Sequence, residues 1–116
     1  MNHFRYIKTA QVEKISGGDK DFLIELTYIF LGQIADFVNK MSDALQNKNW
    51  KELAKEAHTA KSSAMTFGME KTDILLKKIQ LQCEHNDLEK IPEMVRHAIA
   101  QLEGAIPELE DFKNSL

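Results

Sequence analysis

Proline and glycine are scarce, at two and five of 116 residues. That is too few for the many tight turns of an all-β sandwich or barrel. Valine occurs only three times, against plentiful Leu, Ala, Lys, Glu and Gln, which form helices well. Cys83 is the single cysteine, so an intrachain disulfide is excluded and nothing demands an oxidising compartment. A large excess of one charge is also missing. Fifteen Lys and Arg against 18 Asp and Glu give a net charge of −3, without the basic footprint of a nucleic-acid binder. Long apolar runs are absent: the longest uncharged stretch in the first helical region runs from Leu26 to Ala35, far short of the roughly 20 residues that span a bilayer. The opening residues, Met1 to Arg5, show neither an apolar core nor a cleavage pattern, so no secretion signal is expected. With 43% apolar residues the chain is ordinary for a globular protein. The expectation is a single cytoplasmic helical domain over residues 1–116, with neither nucleic acid nor membrane as partner.

Sparse punctuation divides the chain into helical segments. Gly17-Gly18-Asp19, Asn47-Lys48-Asn49, Gly68 and Asn86-Asp87 mark the breaks. A short first helix is expected from about Thr9 to Ser16, with Val12 and Ile15 inward and Phe4, Tyr6 and Ile7 packed across one end. The second starts at Asp19, a good N-cap, and reaches about Gln46, roughly 40 Å at 1.5 Å per residue. Phe22, Leu26, Ile29, Phe30, Phe37, Met41 and Ala44 form its expected apolar stripe. The third begins at Asn49, with Glu52 placed as in a capping box, and stops at Gly68; Leu53, Ala57, Ala60, Ala64 and Phe67 face inward. The fourth covers about Glu70 to His85, with Leu75, Leu76, Ile79 and Cys83 inward. The last covers about Leu88 to Asn114, starting or bending near Ile91 because of Pro92 and kinked near its end by Pro107. Four long amphipathic helices with short connections predict an all-α, antiparallel up-down four-helix bundle with an additional short N-terminal helix.

The third helix carries the chemistry. At about 100° per residue, with Leu53 at zero, its apolar stripe centres near 20° and His58 falls near 140°, at the shoulder between core and solvent. The helical neighbours of His58 are Lys51, Lys55, Lys61, Ser62 and Met65, while Glu52 and Glu56 lie well around the helix. A neutral, unhindered imidazole nitrogen is a competent nucleophile toward phosphorus. Nearby ammonium groups stabilise the charge of a transferred phosphoryl group. On pattern alone, a solvated histidine on a lysine-rich face is the commoner outcome. Gln33 lies on the second helix among Phe22, Leu26, Ile29 and Phe37. Its carboxamide either orients an imidazole from the neighbouring helix or stays at the rim, bonded to water.

Ala57-His58-Thr59-Ala60-Lys61-Ser62-Ser63-Ala64, followed by Phe67-Gly68-Met69, resembles the signature of histidine phosphotransfer (HPt) domains. Gly17-Gly18-Asp19 with Phe22-Leu23 and Phe30-Leu31 is similar to the family's opening block. The resemblance spans about Tyr6 to Leu109. It implies a four-helix bundle that takes a phosphoryl group from a receiver-domain aspartate and passes it to another receiver, without kinase activity or turnover of its own. It further implies His58 as phosphoacceptor, Lys61 as the residue that stabilises the phosphoryl group, and Gln33 as a partner of the histidine. Lys55, Ser62 and Met65 belong to the expected docking face. Expected partners are response-regulator receiver domains and a sensor hybrid kinase, with the chain itself a monomer. No cofactor is expected on this chain, magnesium belonging to the receiver. Ser62 stands where the family has Gly, and Ala60 where it has Leu; neither change removes a chemical group. No acidic residue follows His58 directly, unlike a kinase dimerisation helix, which favours a free-standing carrier.

Two other classes compete. One is a helical module that binds receivers without accepting phosphate. The other is a metal-binding bundle, which Cys83 and His85 support poorly because C-x-H on one helix splays the two side chains about 200° apart. His3 and His97 read as ordinary surface residues, and Met41, Met69 and Met94 as core or boundary filler.

Overall fold

In the computed structural model, which describes residues 3–116, five helices form: α1 Ala10–Ser16, α2 Lys20–Gln46, α3 Trp50–Thr66, α4 Glu70–Glu84 and α5 Ile91–Asn114. The chain is an all-α bundle. Helices α2 to α5 make the up-down bundle, with α2 against α3 and α5, and α4 against the same two; α1 packs on α2. No helix among the described residues is long and apolar enough to cross a membrane.

The helix ends follow local chemistry. The Asp19 carboxylate accepts from the Phe22 amide at 3.1 Å, and the Asn49 carboxamide oxygen accepts from the Glu52 amide at 3.2 Å. Each satisfies one orphan donor of a first turn. The reciprocal half of a capping box is absent at Asn49, whose own N–H donates to the Ala44 carbonyl at 2.8 Å. The tight α2–α3 turn has taken that donor before Glu52 can reach it. Pro92 sits in the first turn of α5, where a missing N–H costs nothing, so the helix starts at Ile91 rather than Leu88. Helix α5 runs on past Pro107 to Asn114.

The core stripe of α2 differs from the expected one. Leu23, Thr27, Phe30, Ile34, Phe37, Met41 and Ala44 are buried, a continuous series of four- and three-residue steps. Phe22 and Ile29 lie on the adjacent stripe and remain 42% and 46% exposed. The polar Thr27 disguises the true stripe. Its hydroxyl donates to the Leu23 carbonyl at 2.8 Å, which removes the cost of burying it. In α1 the buried pair is Val12 and Ser16, and Ile15 is exposed. Ser16 follows Val12 by four residues and so shares its face, and its hydroxyl donates to the Glu13 carbonyl at 2.7 Å.

The residues expected inward on α3, Leu53, Ala57, Ala60, Ala64 and Phe67, are all buried, but so is Glu56, which the wheel sets off the apolar stripe. On α5 the periodicity predicts Ile91, Met94, Val95, Ala98, Leu102, Ala105, Leu109 and Phe112 inward, and all but the half-buried Met94 are buried; on α4, Leu75 is only half-buried. Small side chains on α3 let α2 and α4 approach closely, and Phe67 stacks on Phe30 with ring centroids 4.8 Å apart. The segment before α1 straps one end of the bundle. The Glu108 carboxylate accepts from the backbone amides of Arg5, Tyr6 and Ile7 at 2.8–3.1 Å, and the Lys8 amide donates to the Phe67 carbonyl at 2.9 Å. Gly68 ends the third helical segment with φ +66°, and Lys8 lies so close that a Cβ there would stand 2.6 Å from its Cβ and carbonyl oxygen.

Candidate functional site

Helix α3 presents His58 outward because its opposite face is fixed in the core by Ala57, Ala60 and Ala64. Lys55, Ser62 and Met65 are exposed on the same helix, and Lys61 is partly covered. The structure therefore brings together every site residue expected on α3.

Gln33 is not among them. Its carboxamide oxygen accepts from the Ser63 hydroxyl at 3.0 Å. Ser63 is five residues beyond His58, about 140° around α3. The expected Gln33–imidazole bond is absent because α2 meets α3 on that other face.

The partner of the imidazole comes from α4. His58 Nδ1 lies 3.2 Å from Gln80 Oε1, and Gln80 Nε2 donates to Glu84 Oε2 at 3.2 Å. This chain sets the chemistry of the ring. Glu84 accepts from the amide nitrogen of Gln80, which aims the carboxamide oxygen at His58. A carboxamide oxygen only accepts, so Nδ1 carries the proton. Nε2 is then left with its lone pair on an exposed side chain.

Helix α4 also alters the electrostatics. Lys61 Nζ lies 3.9 Å from Asp73 Oδ1 and 3.6 Å from Met65 Sδ. A long, partly solvated pair of this kind is worth at most about 1 kcal/mol. Lys61, one turn along α3 from His58, is thus only loosely committed to Asp73. Lys51 and Lys55 remain exposed and, with Trp50, Gln80 and Glu84, line a groove of about 520 Å³ that opens beside His58. The lysine surround is real along α3, but α4 sets Asp73 and Glu84 against it.

Cys83 also lines this groove and is buried; desolvation, with the Glu84 charge adding to it, raises its thiol from 9.0 to about 11. His85 caps the end of α4 in the open, and His97 lies 3.8 Å from Glu93 on the exposed surface of α5. Among the described residues, no group of three or more His, Cys, Asp or Glu side chains could hold a metal ion.

Sequence reasoning missed Gln80, Glu84 and Asp73. The signal was the hairpin itself. An antiparallel pair turning at Gly68 sets positions equidistant from it opposite each other. His58 precedes Gly68 by ten residues and Gln80 follows it by twelve; Lys61 precedes it by seven and Asp73 follows it by five.

Comparison with known proteins agrees with this architecture. The family described as Hpt domain matches residues 25–112. Phosphorelay intermediate protein rdeA of Dictyostelium discoideum is 24% identical over 100 residues, which cover 86% of this chain. The match spans only 39% of that relative's own length. The crystal structure of histidine-containing phosphotransfer protein B (HptB) from Pseudomonas aeruginosa PAO1 superposes with a TM-score of 0.87, covering 96% of each chain at 13% identity. That likeness is one of fold.

Proposed function

The chain belongs to the Hpt domain family, and from that membership and the geometry at His58 we propose a phosphoryl carrier of two-component relays, loaded by one receiver domain and unloaded by another. The observation that carries this reading is the Glu84–Gln80–His58 chain, which leaves Nε2 as an exposed nucleophile with Lys61 one turn away.

The Nε2 lone pair attacks the phosphorus of a receiver's aspartyl phosphate in line. The N–P bond forms as the P–O bond to the aspartate breaks, and the electron pair leaves with the carboxylate. The ring gains positive charge, and Gln80 Oε1 continues to accept from Nδ1–H. Lys61 swings from Asp73 toward the phosphoryl oxygens, with Lys55 a weaker second cation. The reverse sequence unloads the carrier, so His58 is a stopping point in a relay and the chain needs neither turnover nor a cofactor of its own. Magnesium belongs to the receiver.

Docking uses the α2–α3 face. Phe22 and Ile29 on α2 and Met65 on α3 are exposed apolar side chains, and Ser62 keeps the approach to His58 low. The second stripe of α2, left out of the core, thereby has a use. A phosphorylated hybrid kinase is the expected source of the group and a response regulator its destination. The chain itself serves as a monomer.

The test is incubation with a phosphorylated receiver, followed by measurement of acid-labile phosphate on the chain. Wild type is labelled and His58→Gln is not. Absence of label from a panel of receivers that nevertheless bind would sink the carrier reading in favour of a receiver-binding module.

A further inference from the structure

The outer face of α4 is apolar, exposed and basic, and the proposed transfer chemistry makes no use of it. Ile74 is 57% exposed and Leu81 40%, seven residues apart on one side of the helix. At about 100° per residue, Lys71, Lys77, Lys78 and Leu81 all fall within about 60° of Ile74. Gln80 and Asp73, which face α3, lie about 120° and 100° away. The centre of the patch, at Ile74, is therefore roughly a third of the circumference of α4 from the His58 face, while Lys77 at its edge is about 40° from Asp73.

Between this face and α5 runs a groove of about 360 Å³ lined by Ile74, Leu75, Lys78, Met94, His97 and Gln101 among others. The charges are lopsided. Among the described residues none of Lys71, Lys77 and Lys78 is in an ion pair; of the nearby acids, Glu70 pairs with Lys8 at 3.5 Å, and Glu93, the one carboxylate lining the groove, lies 3.8 Å from His97, which neutralises it only when protonated. An acidic protein, net −3, has thus gathered three lysines outside any ion pair around two exposed aliphatic side chains, against the single carboxylate of Glu93 in the groove.

We propose that the α4–α5 groove is a second docking surface, and that its occupant is an acidic amphipathic helix of a partner protein. Aliphatic residues of that helix, spaced three, four and seven apart, sit on Ile74 and Leu81 and enter the groove toward Met94. Its flanking carboxylates meet Lys71, Lys77 and Lys78, and the charge pairing selects this partner over a basic one. The site is independent of phosphoryl transfer, and a partner held here leaves His58 open to a receiver.

The experiment uses the full chain and two synthetic 18-residue helical peptides with identical leucine stripes, one flanked by glutamates and the other by lysines. Binding is followed by calorimetry and by amide shifts in two-dimensional NMR. The acidic peptide binds and moves the amides of Ile74, Lys78, Leu81 and Met94, and the basic peptide binds at least about tenfold more weakly. Ile74→Ser weakens the acidic peptide by about fivefold or more. The double change Lys71→Glu and Lys78→Glu reverses the peptide preference. That reversal tests the charge argument even if Ile74→Ser were to disturb folding. Phosphate uptake by His58 is the same in all these variants. The proposal is overturned if neither peptide binds, if the shifts map to Phe22 and Ile29, or if the double variant keeps the wild-type preference. It is equally overturned if Ile74 proves to mediate self-association in sedimentation, or adhesion to vesicles containing anionic lipid, with no peptide binding.

Discussion

Replacing Gln80 with Met removes the acceptor of the imidazole proton while keeping a side chain of similar length and flexibility. The magnitude follows from the bond it breaks. A hydrogen bond to a neutral group contributes about 0.5–1.5 kcal/mol, and one to a charged group about 1.5–3 kcal/mol. His58 Nδ1 lies 3.2 Å from Gln80 Oε1 in the unloaded chain, and in the proposed transfer the ring keeps that bond and becomes cationic when Nε2 takes the phosphoryl group. The bond therefore strengthens on loading by about 1 kcal/mol, reduced here because the pair is exposed to water. At 1.4 kcal/mol per factor of ten, Gln80→Met shifts the transfer equilibrium toward the receiver by roughly three- to fivefold. The assay is the ratio of phosphohistidine to phosphoaspartate after equilibration with a single receiver. Imidazole nitrogen chemical shifts supply a second readout: wild type shows the Nδ1–H tautomer, and the variant a mixture. Glu84→Leu has the same signs at smaller size, since it frees the carboxamide to turn without removing it. An unchanged equilibrium with an unchanged tautomer in Gln80→Met would refute the reasoning, because it would mean that the ring is oriented by something other than α4.

Lys61→Ala slows loading by about tenfold or more while leaving thermal stability within about 0.5 kcal/mol, since its long ion pair with Asp73 contributes little; stopped transfer reactions and a melting curve check the two halves. Asp73→Asn, which frees Lys61, speeds loading or leaves it unchanged, and slower loading would contradict the role given to Lys61. Gly17→Ala and Gly68→Ala share a positive φ near +61° and +66°, but only Gly68 has Lys8 within 4 Å. Urea unfolding is expected to show a loss of about 1 kcal/mol at Gly17 and about 1–3 kcal/mol more at Gly68, the difference measuring the strap contact. Burial and the Glu84 charge raise the Cys83 thiol from 9.0 to about 11, so the unfolded chain ionises first as pH rises. The stability that this thiol contributes is complete below pH 9.0 and is lost toward pH 11. Wild type accordingly loses about 1–2 kcal/mol more than Cys83→Ala over that interval in pH-dependent urea unfolding.

Periodicity was enough for α3 and α5 because their apolar stripes have no rival. Ala57, Ala60 and Ala64 have only polar neighbours on the far side, so a single phase fits. Helix α2 carries two parallel stripes one residue apart, Phe22–Leu26–Ile29–Gln33 and Leu23–Thr27–Phe30–Ile34. Hydrophobicity favours the first over its opening turns. The fold takes the second, because only that phase continues without a break through Phe37, Met41 and Ala44. The cost of Thr27 is local and is met within the helix, whereas a change of phase halfway along α2 would have to be met by every helix packed on it. Burial thus follows the longest continuous stripe rather than the most apolar turn, and the displaced stripe is left partly exposed on the surface of α2.

The site divides along the same line. Every role proposed for α3 is read from α3 alone, because its residues are related by fixed helical geometry. The roles filled by Gln80, Glu84 and Asp73 depend on a second helix, and a helical wheel has no second helix in it. The omission mattered most for charge. A wheel of α3 shows cations gathered around His58 and suggests a site tuned by excess positive charge. With α4 in place, Lys61 is shared with Asp73, and Gln80 is anchored by a carboxylate. A site of bare cations would hold phosphate tightly and release it slowly. A cation already shared with a carboxylate gains less when phosphate arrives, and it loses less when phosphate leaves. For a carrier that must be unloaded as readily as it is loaded, that near balance is the more useful arrangement, and it follows from which residues of α4 the turn at Gly68 sets opposite His58.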